Sequence, residues 1–392
     1  MGQAVTVSSR AASAPVRTRR VAHVIPEYLP RSATFVHTLI GHQERSEPFV
    51  FAEATSNLEE FPVAHVESYR EEGGGGARGP LDRLIAPVRA KGTPYSRWLA
   101  AAVSRSRCSL IHAHFGWSGR DSVTAATQLS VPLVTTFYGR DLSETRRARR
   151  RDPYRRLFRA GTLFIVEGPA MAQELARVGC DPERIRIAPI GIATEALSFA
   201  PRPRAEPLVV VQTGRFVEKK GFDTGLRAYA KARPSLGESE LWLIGEGPLR
   251  LELEALVEEL GLGSSVRFTG MVSQDEYRRL VTRADVCLQP SRTAADGDSE
   301  GGAPTVILEA EALGIPVVAT LHADISFVVP RPHELAPEND VDAVADTLVA
   351  VALEGDGERR ARLEEARAFV SERHAAGVTA AAVEAIYDEA LA

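Results

Sequence analysis

Two stretches in the second half of the chain gather side chains suited to gripping a diphosphate and easing its departure. The first is Thr213-Gly214-Arg215-Phe216-Val217-Glu218-Lys219-Lys220-Gly221-Phe222, directly after an apolar run at Leu208–Gln212. Gly214 lets the backbone approach a ligand closely, Arg215 offers a fork of N–H donors, and Lys220 offers a point charge. In isolation such a loop is equally readable as a solvated basic turn. The chain holds only four lysines (Lys91, Lys219, Lys220, Lys231), so an adjacent pair stands out. The second stretch runs from Asp298-Ser299-Glu300-Gly301-Gly302-Ala303-Pro304-Thr305 through Glu309 to Gly314-Ile315-Pro316. Gly301 and Gly302 lead into a helix that Pro304 begins and Gly314 ends, and the unpaired N–H groups of such a start attract anions. Glu309, inside that helix, suits the paired hydroxyls of a ribose, since an ionised carboxylate only accepts hydrogen bonds. A surface ion pair is the plainer reading of Glu309.

Elements that position these loops are legible around them. Apolar runs at Val21–Ile25, Phe49–Ala52, Leu110–His114, Leu133–Phe137, Leu163–Val166 and Ile185–Ala188 alternate with helical patterns in the first half. Runs at Leu208–Gln212, Leu241–Ile244, Val266–Phe268, Val286–Leu288 and Val317–Ala319 do so in the second. This alternation predicts an α/β protein with parallel sheets covered by helices. A helix is expected over 248–260, with Pro248 in its first turn, Leu249, Leu253, Leu256 and Leu260 on one face, and Gly261 ending it. The chain of 392 residues is long enough for about two domains. Ala200-Pro201-Arg202-Pro203-Arg204-Ala205-Glu206-Pro207 reads as a stiff linker. The expected organisation is a disordered lead at 1–20, a Rossmann-like domain at 21–200, the linker at 201–207, a second such domain at 208–374, and a helix at 375–392 that packs back on the first domain. Glu71–Pro80, with four consecutive glycines, reads as a surface loop.

Composition excludes several classes. No run approaches the ~18 apolar residues of a membrane span, and the first twenty residues lack the apolar core of a secretory signal. Cys108, Cys180 and Cys287 are scattered and odd in number, which disfavours disulfide or zinc scaffolds and fits a reducing cytoplasm. A net charge of −5 gives no reason to expect nucleic acid. The charge is uneven, however: residues 1–200 carry 27 Lys and Arg against 19 Asp and Glu, while the rest carry 20 against 33. Eight arginines between Arg146 and Arg159 read either as a solvated helix face or as a contact for anionic lipid or a phosphate-bearing acceptor. Asp296-Gly297-Asp298 fails as a calcium loop, because Ile307 stands at the twelfth position, and reads as a polar turn. Gly245-Glu246-Gly247 begins like a dinucleotide fingerprint but has Arg250 where the third glycine belongs. His112 and His114 alternate on a strand with no third ligand in view, so no metal is expected.

Taken together, the ordered motifs from Val209 to Val318 resemble the donor domain of the retaining GT-B glycosyltransferases of family 4, including the exopolysaccharide and colanic-acid-type enzymes. Leu243-Ile244-Gly245-Glu246-Gly247-Pro248, Val266-Arg267-Phe268-Thr269-Gly270 and Ala284–Ser291 are similar to segments of that family in the same order. The resemblance implies a GT-B fold, two Rossmann-like domains with parallel sheets facing across a cleft. It implies Arg215 and Lys220 on the donor diphosphate, Glu300 near the transferring sugar, Glu309 on the ribose, and Arg267 near the base. Gly214, Gly301, Gly302, Ala303, Pro304 and Thr305 would complete the donor site. On the acceptor side, Thr135–Asp141 resembles the family's His-Gly-x-Asp loop, Ile111–Phe115 a cleft-lining strand, and Pro30–Val36 the first loop of the colanic-acid-type subgroup. That nominates Thr34, Phe35, His114, Tyr138, Gly139 and Asp141.

The sequence departs from the family in three places. Glu300 and Glu309 are separated by eight residues where seven are usual, Tyr138 replaces the usual histidine, and Ala33 stands where the subgroup often has an acid. The implied activity is metal-independent transfer from a nucleotide sugar, a uridine diphosphate sugar first, to a saccharide, lipid-linked or natural-product hydroxyl. An epimerase of the same fold, or a non-catalytic nucleotide-sugar-binding protein, are the alternatives.

Overall fold

The computed structural model describes residues 19–30, 33–71, 93–147, 153–201 and 203–392, with only the backbone for 144–147. The first sheet contains β1 (Arg19–Tyr28), β2 (Ser46–Thr55), β3 (Val66–Ser68), β4 (Leu110–His114), β5 (Leu133–Thr136), β6 (Leu163–Val166) and β7 (Ile185–Ile187), in the order β3-β2-β1-β4-β5-β6-β7. The second contains β8 (Leu208–Thr213), β9 (Ser239–Ile244), β10 (Val266–Gly270), β11 (Val286–Gln289), β12 (Val317–Thr320) and β13 (Leu335–Ala336), in the order β10-β9-β8-β11-β12-β13. Every pairing within both sheets is parallel. Strands in such sheets are covered on both faces, and every residue of β4, β5, β6, β8, β11 and β12 is buried. The fold is the expected two-domain, Rossmann-like α/β architecture.

Each strand order reverses once, between β1 and β4 and between β8 and β11. Ligands in open α/β sheets sit beyond the carboxyl ends of strands at such a point. The loops leaving β8 and β11 there are Gly214–Gly221 and Pro290–Pro304, the two stretches singled out by their chemistry.

Differences from expectation are local. β1 begins at Arg19, so the expected disordered lead ends earlier, with residues 1–18 outside the described part. β3 and β13 are additional, being edge strands of three and two residues that are too short to leave a pattern. The helix expected at 248–260 spans Arg250–Glu259. Its lead-in is otherwise engaged, for Leu249 N donates to the Phe216 carbonyl (3.1 Å) and ties Gly247–Leu249 to the basic loop. Most of the glycine-rich segment after Glu71, and 148–152 of the arginine run, lie outside the described residues. The segment after Ala200 is anchored to the second domain, with Ala205 N on Asp285 Oδ1 (3.1 Å) and Arg204 Nη1 on the Ala352 carbonyl (3.1 Å).

The last helix, Ala376–Leu391, returns to the first domain. Val383, Ile386 and Tyr387 pack with Val21, Leu110 and Val134 from β1, β4 and β5. Its outer face is pinned by Arg19 and Arg45 on Asp388 and by Arg186 on Glu389.

Candidate active site

The two chemical stretches meet. Lys220 Nζ lies 2.8 Å from Glu300 Oε1, which also accepts from the Ser291 hydroxyl at 2.9 Å. Burial pushes the Glu300 carboxyl up, but Lys220, Lys219 and Ser291 outweigh it and hold it below the usual carboxylate range. Lys219 is the more buried of the pair: its Nζ reaches Asp298 Oδ1 (3.3 Å) and the Ser299 carbonyl (2.8 Å). Lys219 therefore staples the basic loop to the glycine turn, while Lys220 stays on the cleft side with Glu300. Asp298, read from sequence as part of a polar turn, is the anchor of this staple. It also accepts from the Ser143 hydroxyl of the first domain at 2.9 Å.

The glycine turn runs into the helix Thr305–Leu313, whose start at Pro304 has no side-chain cap. Its first N–H groups are left for water or an anion. Gly314, in the left-handed region at φ 82°, closes the helix as expected. Glu309 receives a 2.6 Å hydrogen bond from the Tyr277 hydroxyl, and burial raises its carboxyl. Arg215 is exposed, and its side chain has no ion-pair or hydrogen-bond partner among the described residues. Arg267 sits midway along the edge strand β10, exposed, with its guanidinium over the Trp242 ring (5.4 Å) that Arg283 also faces (5.0 Å). Strand alternation sets it on the sheet face where Trp242 packs in one cluster with Tyr277 and the helix that carries Glu309.

The first domain meets this turn backbone to backbone. A side chain at Gly139 would lie 2.2 Å from the Glu300 carbonyl, and one at Gly301 would lie 2.1 Å from Gly139 Cα. Both glycines have positive φ, so the approach and the conformation each exclude a side chain. Tyr138, beside this contact, packs on Phe35 (4.7 Å between centroids) and Phe115 (4.9 Å). Thr34 opens the helix Thr34–Gly41 that carries Phe35.

Asp141 and His114 do not reach the cleft. The fully buried Asp141 carboxylate accepts from Gly116 N (2.7 Å), Tyr138 N (3.1 Å) and Leu142 N (3.2 Å), so it shapes the Tyr138–Gly139 turn from behind. Burial pushes it up to about 7 in spite of those donors. His114 lies fully buried behind Tyr138, with Nδ1 2.8 Å from the phenol oxygen.

Sequence reasoning missed four residues. Glu167, the residue after β6, is 7% exposed, has no hydrogen-bond partner among the described residues, and occupies the space a side chain at Gly302 would take. Burial, then Asp324, Asp141 and Glu300, push its carboxyl well up. Asp324, from the second domain, caps the first-domain helix Pro169–Arg177 by accepting from Ala170 N (2.7 Å) and Met171 N (3.1 Å). His322 accepts from Glu300 N at 3.2 Å while its other nitrogen meets Glu338, which steadies the glycine turn. None of these residues lies in a local pattern. His23 joins His112 and His114 as the third imidazole that the sequence did not reveal, and their ligand atoms lie within 4.8 Å of one another. Every nitrogen of the three rings already has a protein partner. A metal would have to displace those bonds, so the donor set does not fit one as it stands.

Comparison with known proteins adds an independent line. A family model described as "Glycosyltransferase Family 4" matches residues 32–196, and one described as "Glycosyl transferases group 1" matches residues 207–354. The chain is 35% identical over 255 residues to a putative colanic acid biosynthesis glycosyltransferase of Escherichia coli, covering 62% of this chain and 61% of that protein. It is 31% identical over 245 residues to an amylovoran biosynthesis glycosyltransferase of Erwinia amylovora, covering 61% and 60%. The matches thus span about three fifths of these relatives. Among solved structures, Anabaena HepE in complex with UDP-glucose superposes with a TM-score of 0.75 at 19% identity, covering 95% of this chain and all of that one. WaaG, a glycosyltransferase involved in lipopolysaccharide biosynthesis, does so with a TM-score of 0.66 at 18% identity, covering 93% and 99%.

Proposed function

The chain belongs to glycosyltransferase family 4, and from that premise we propose that it transfers a hexose from a nucleoside diphosphate sugar to a hydroxyl of a saccharide, lipid-linked or natural-product acceptor, with retention and without a metal. The observation that carries this reading is the convergence of Lys220, Glu300 and the uncapped helix start at the switch point between β8 and β11, directly opposite Gly139 of the first domain. Breaking the anomeric C–O bond leaves charge on the departing diphosphate. A fixed cation and aligned N–H groups lower the barrier without having to reorganise. At 4 Å, one such charge pair is worth about 4 kcal/mol at an effective dielectric near 20.

In the proposed reaction the acceptor oxygen bonds to the anomeric carbon on the face the diphosphate leaves. The acceptor's proton passes to the leaving phosphate oxygen, so no separate base is required. On arrival the diphosphate takes Lys220 from Glu300, freeing that carboxylate for the sugar hydroxyls, and Arg215 closes from the loop. Glu309, held by Tyr277, takes the ribose.

Uridine is the first nucleotide to test, a choice supported by the UDP-glucose complex of the Anabaena protein. A saccharide acceptor is supported by the relatives' names, which assign them to colanic acid and amylovoran biosynthesis. Arg155, Arg156 and Arg159, the described and exposed end of the arginine run, are proposed to meet anionic lipid or a phosphate-bearing acceptor. Co-sedimentation with anionic but not neutral vesicles checks this. No helix among the described residues is long and apolar enough to cross a membrane.

The deciding experiment is a thermal-shift panel of UDP-, GDP- and dTDP-sugars followed by assay of released nucleoside diphosphate. Stabilisation by one nucleotide sugar, with release that depends on Lys220, is the expected result. Conversion of the donor without an acceptor would point to an epimerase. Binding with neither hydrolysis nor transfer would point to a binding protein.

A further inference from the structure

On the face of the first sheet that the last helix covers, β1 and β4 place His23, His112 and His114 side by side, all fully buried. His23 Nδ1 lies 3.1 Å from His114 Nε2, and His23 Nε2 lies 3.2 Å from Gln43 Oε1. Gln43 Nε2 donates to the Tyr387 hydroxyl at 3.0 Å, and that hydroxyl lies 2.6 Å from His112 Nδ1. His112 Nε2 meets Thr136 Oγ1 at 2.7 Å. At the other end, His114 Nδ1 meets the Tyr138 phenol at 2.8 Å.

The amide of Gln43 gives the whole arrangement one direction. Its oxygen must accept, so His23 donates from Nε2 and accepts at Nδ1. His114 must then donate from Nε2 and accept at Nδ1, where only the Tyr138 O–H can donate. On the other branch, Tyr387 accepts from Gln43 and so donates to His112 Nδ1. His112 donates onward from Nε2 to Thr136. Each nitrogen of the three imidazoles thus has one partner, with all three rings neutral.

We propose that this network fixes the Tyr138 phenol with its proton turned inward, so that the first domain presents to the sugar an aromatic face with no hydrogen-bond donor, and that His114 and Tyr387 are positioning residues for that wall. Phe35 and Phe115 flank the Tyr138 ring, and Trp117 stacks on Phe115 at 5.0 Å. Phe115 holds a φ of 73° at the start of the helix Gly116–Leu129, a conformation a bulky residue adopts only when its surroundings impose it. The substrate class that suits such a wall is a sugar unit lying with its C–H face, not a hydroxyl, against the first domain. Burial lowers all three imidazoles, His23 to about 4, which keeps them neutral. The charged groups facing the network are Glu384 and Arg19 beside Tyr387, and Asp141 and Glu167 beside Tyr138.

The test has two arms. Residue-assigned ¹⁵N NMR of the imidazoles in the full chain, between about pH 5.5 and 8, is expected to find the Nε2–H tautomer unchanged at His23, His112 and His114. An Nδ1–H tautomer at any of the three, an imidazolium in that range, or a change on adding one equivalent of Zn²⁺ overturns the proposal. The kinetic arm rests on the glycosyl-transfer reading. Tyr387→Phe removes, far from the cleft, the hydroxyl that orients the Gln43 amide, and is expected to raise the sugar KM about fivefold, the scale of one lost hydrogen bond, with kcat within about twofold. An unchanged KM, or kcat and KM falling together, overturns it. Absence of any transfer by the wild-type chain defeats the glycosyl-transfer reading instead, and the NMR arm still decides the network.

Discussion

The two walls of the cleft are built on opposite electrostatic principles. The second domain sets full charges against one another, Lys219 on Asp298 and Lys220 on Glu300, around an uncapped helix start. Opposite it, the first domain offers neutral groups: Tyr138 on a network of buried imidazoles, and Glu167 pushed toward its protonated form. A wall of paired charges is poised to exchange partners when a diphosphate arrives. A wall of neutral hydrogen bonds is poised to hold a shape. The difference separates the part of the site that does electrostatic work from the part that selects.

The contrast breaks most severely at Lys220. Lys220→Ala is expected to lower turnover by roughly 10²–10³, the scale of a lost transition-state charge contact. Nucleoside diphosphate release at the wild-type rate would place the leaving group elsewhere. Its neighbour should behave differently, because Lys219→Ala removes the buried cation that staples Asp298 and the Ser299 carbonyl and is expected to destabilise the fold by about 3 kcal/mol, read by denaturant titration. If the two lysine variants lose the same property, the assignment of one to chemistry and the other to structure fails. Across the cleft, Asp324→Ala removes the cap that the second domain places on the helix Pro169–Arg177, at a cost of about 1–2 kcal/mol. Calorimetry should record it as weaker coupling between the domains' unfolding transitions.

The smallest effect sharpens the neutral side. A carboxyl raised in the folded state contributes stability that is complete below its unfolded value near 4, and that stability is lost as pH rises through its folded value. Glu167→Gln copies the protonated form and escapes this loss. The melting temperature of the variant should therefore gain on wild type as pH rises above about 4. A difference that stays flat would mean the Glu167 carboxyl is not raised by folding.

What the sequence disclosed follows the same division. Lys220, Glu300 and Pro304 lie in short runs between a strand and a helix, where glycines and charges announce a turn whose place in the sheet follows from the alternation around it. Glu167, His23 and the pair His322 and Asp324 come from three separate places in the chain, and nothing local marks them. Their roles exist only once β1 lies beside β4 and the domains meet. The parallel sheets were legible from their apolar runs, whereas β3 and β13 owe their existence to a neighbouring strand rather than to their own composition.

Tyr387 belongs to the final sixteen-residue helix, yet it completes both the imidazole network and the apolar floor of the first sheet. A ribosome delivers β1 early and this helix only after the second domain. The opening domain must therefore wait, with the floor beneath Val21 and Leu110 uncovered, until the entire second domain has been synthesised. Fragments cut after the proline-rich segment, however well chosen by domain boundaries, should emerge with that floor bare and adhere to one another.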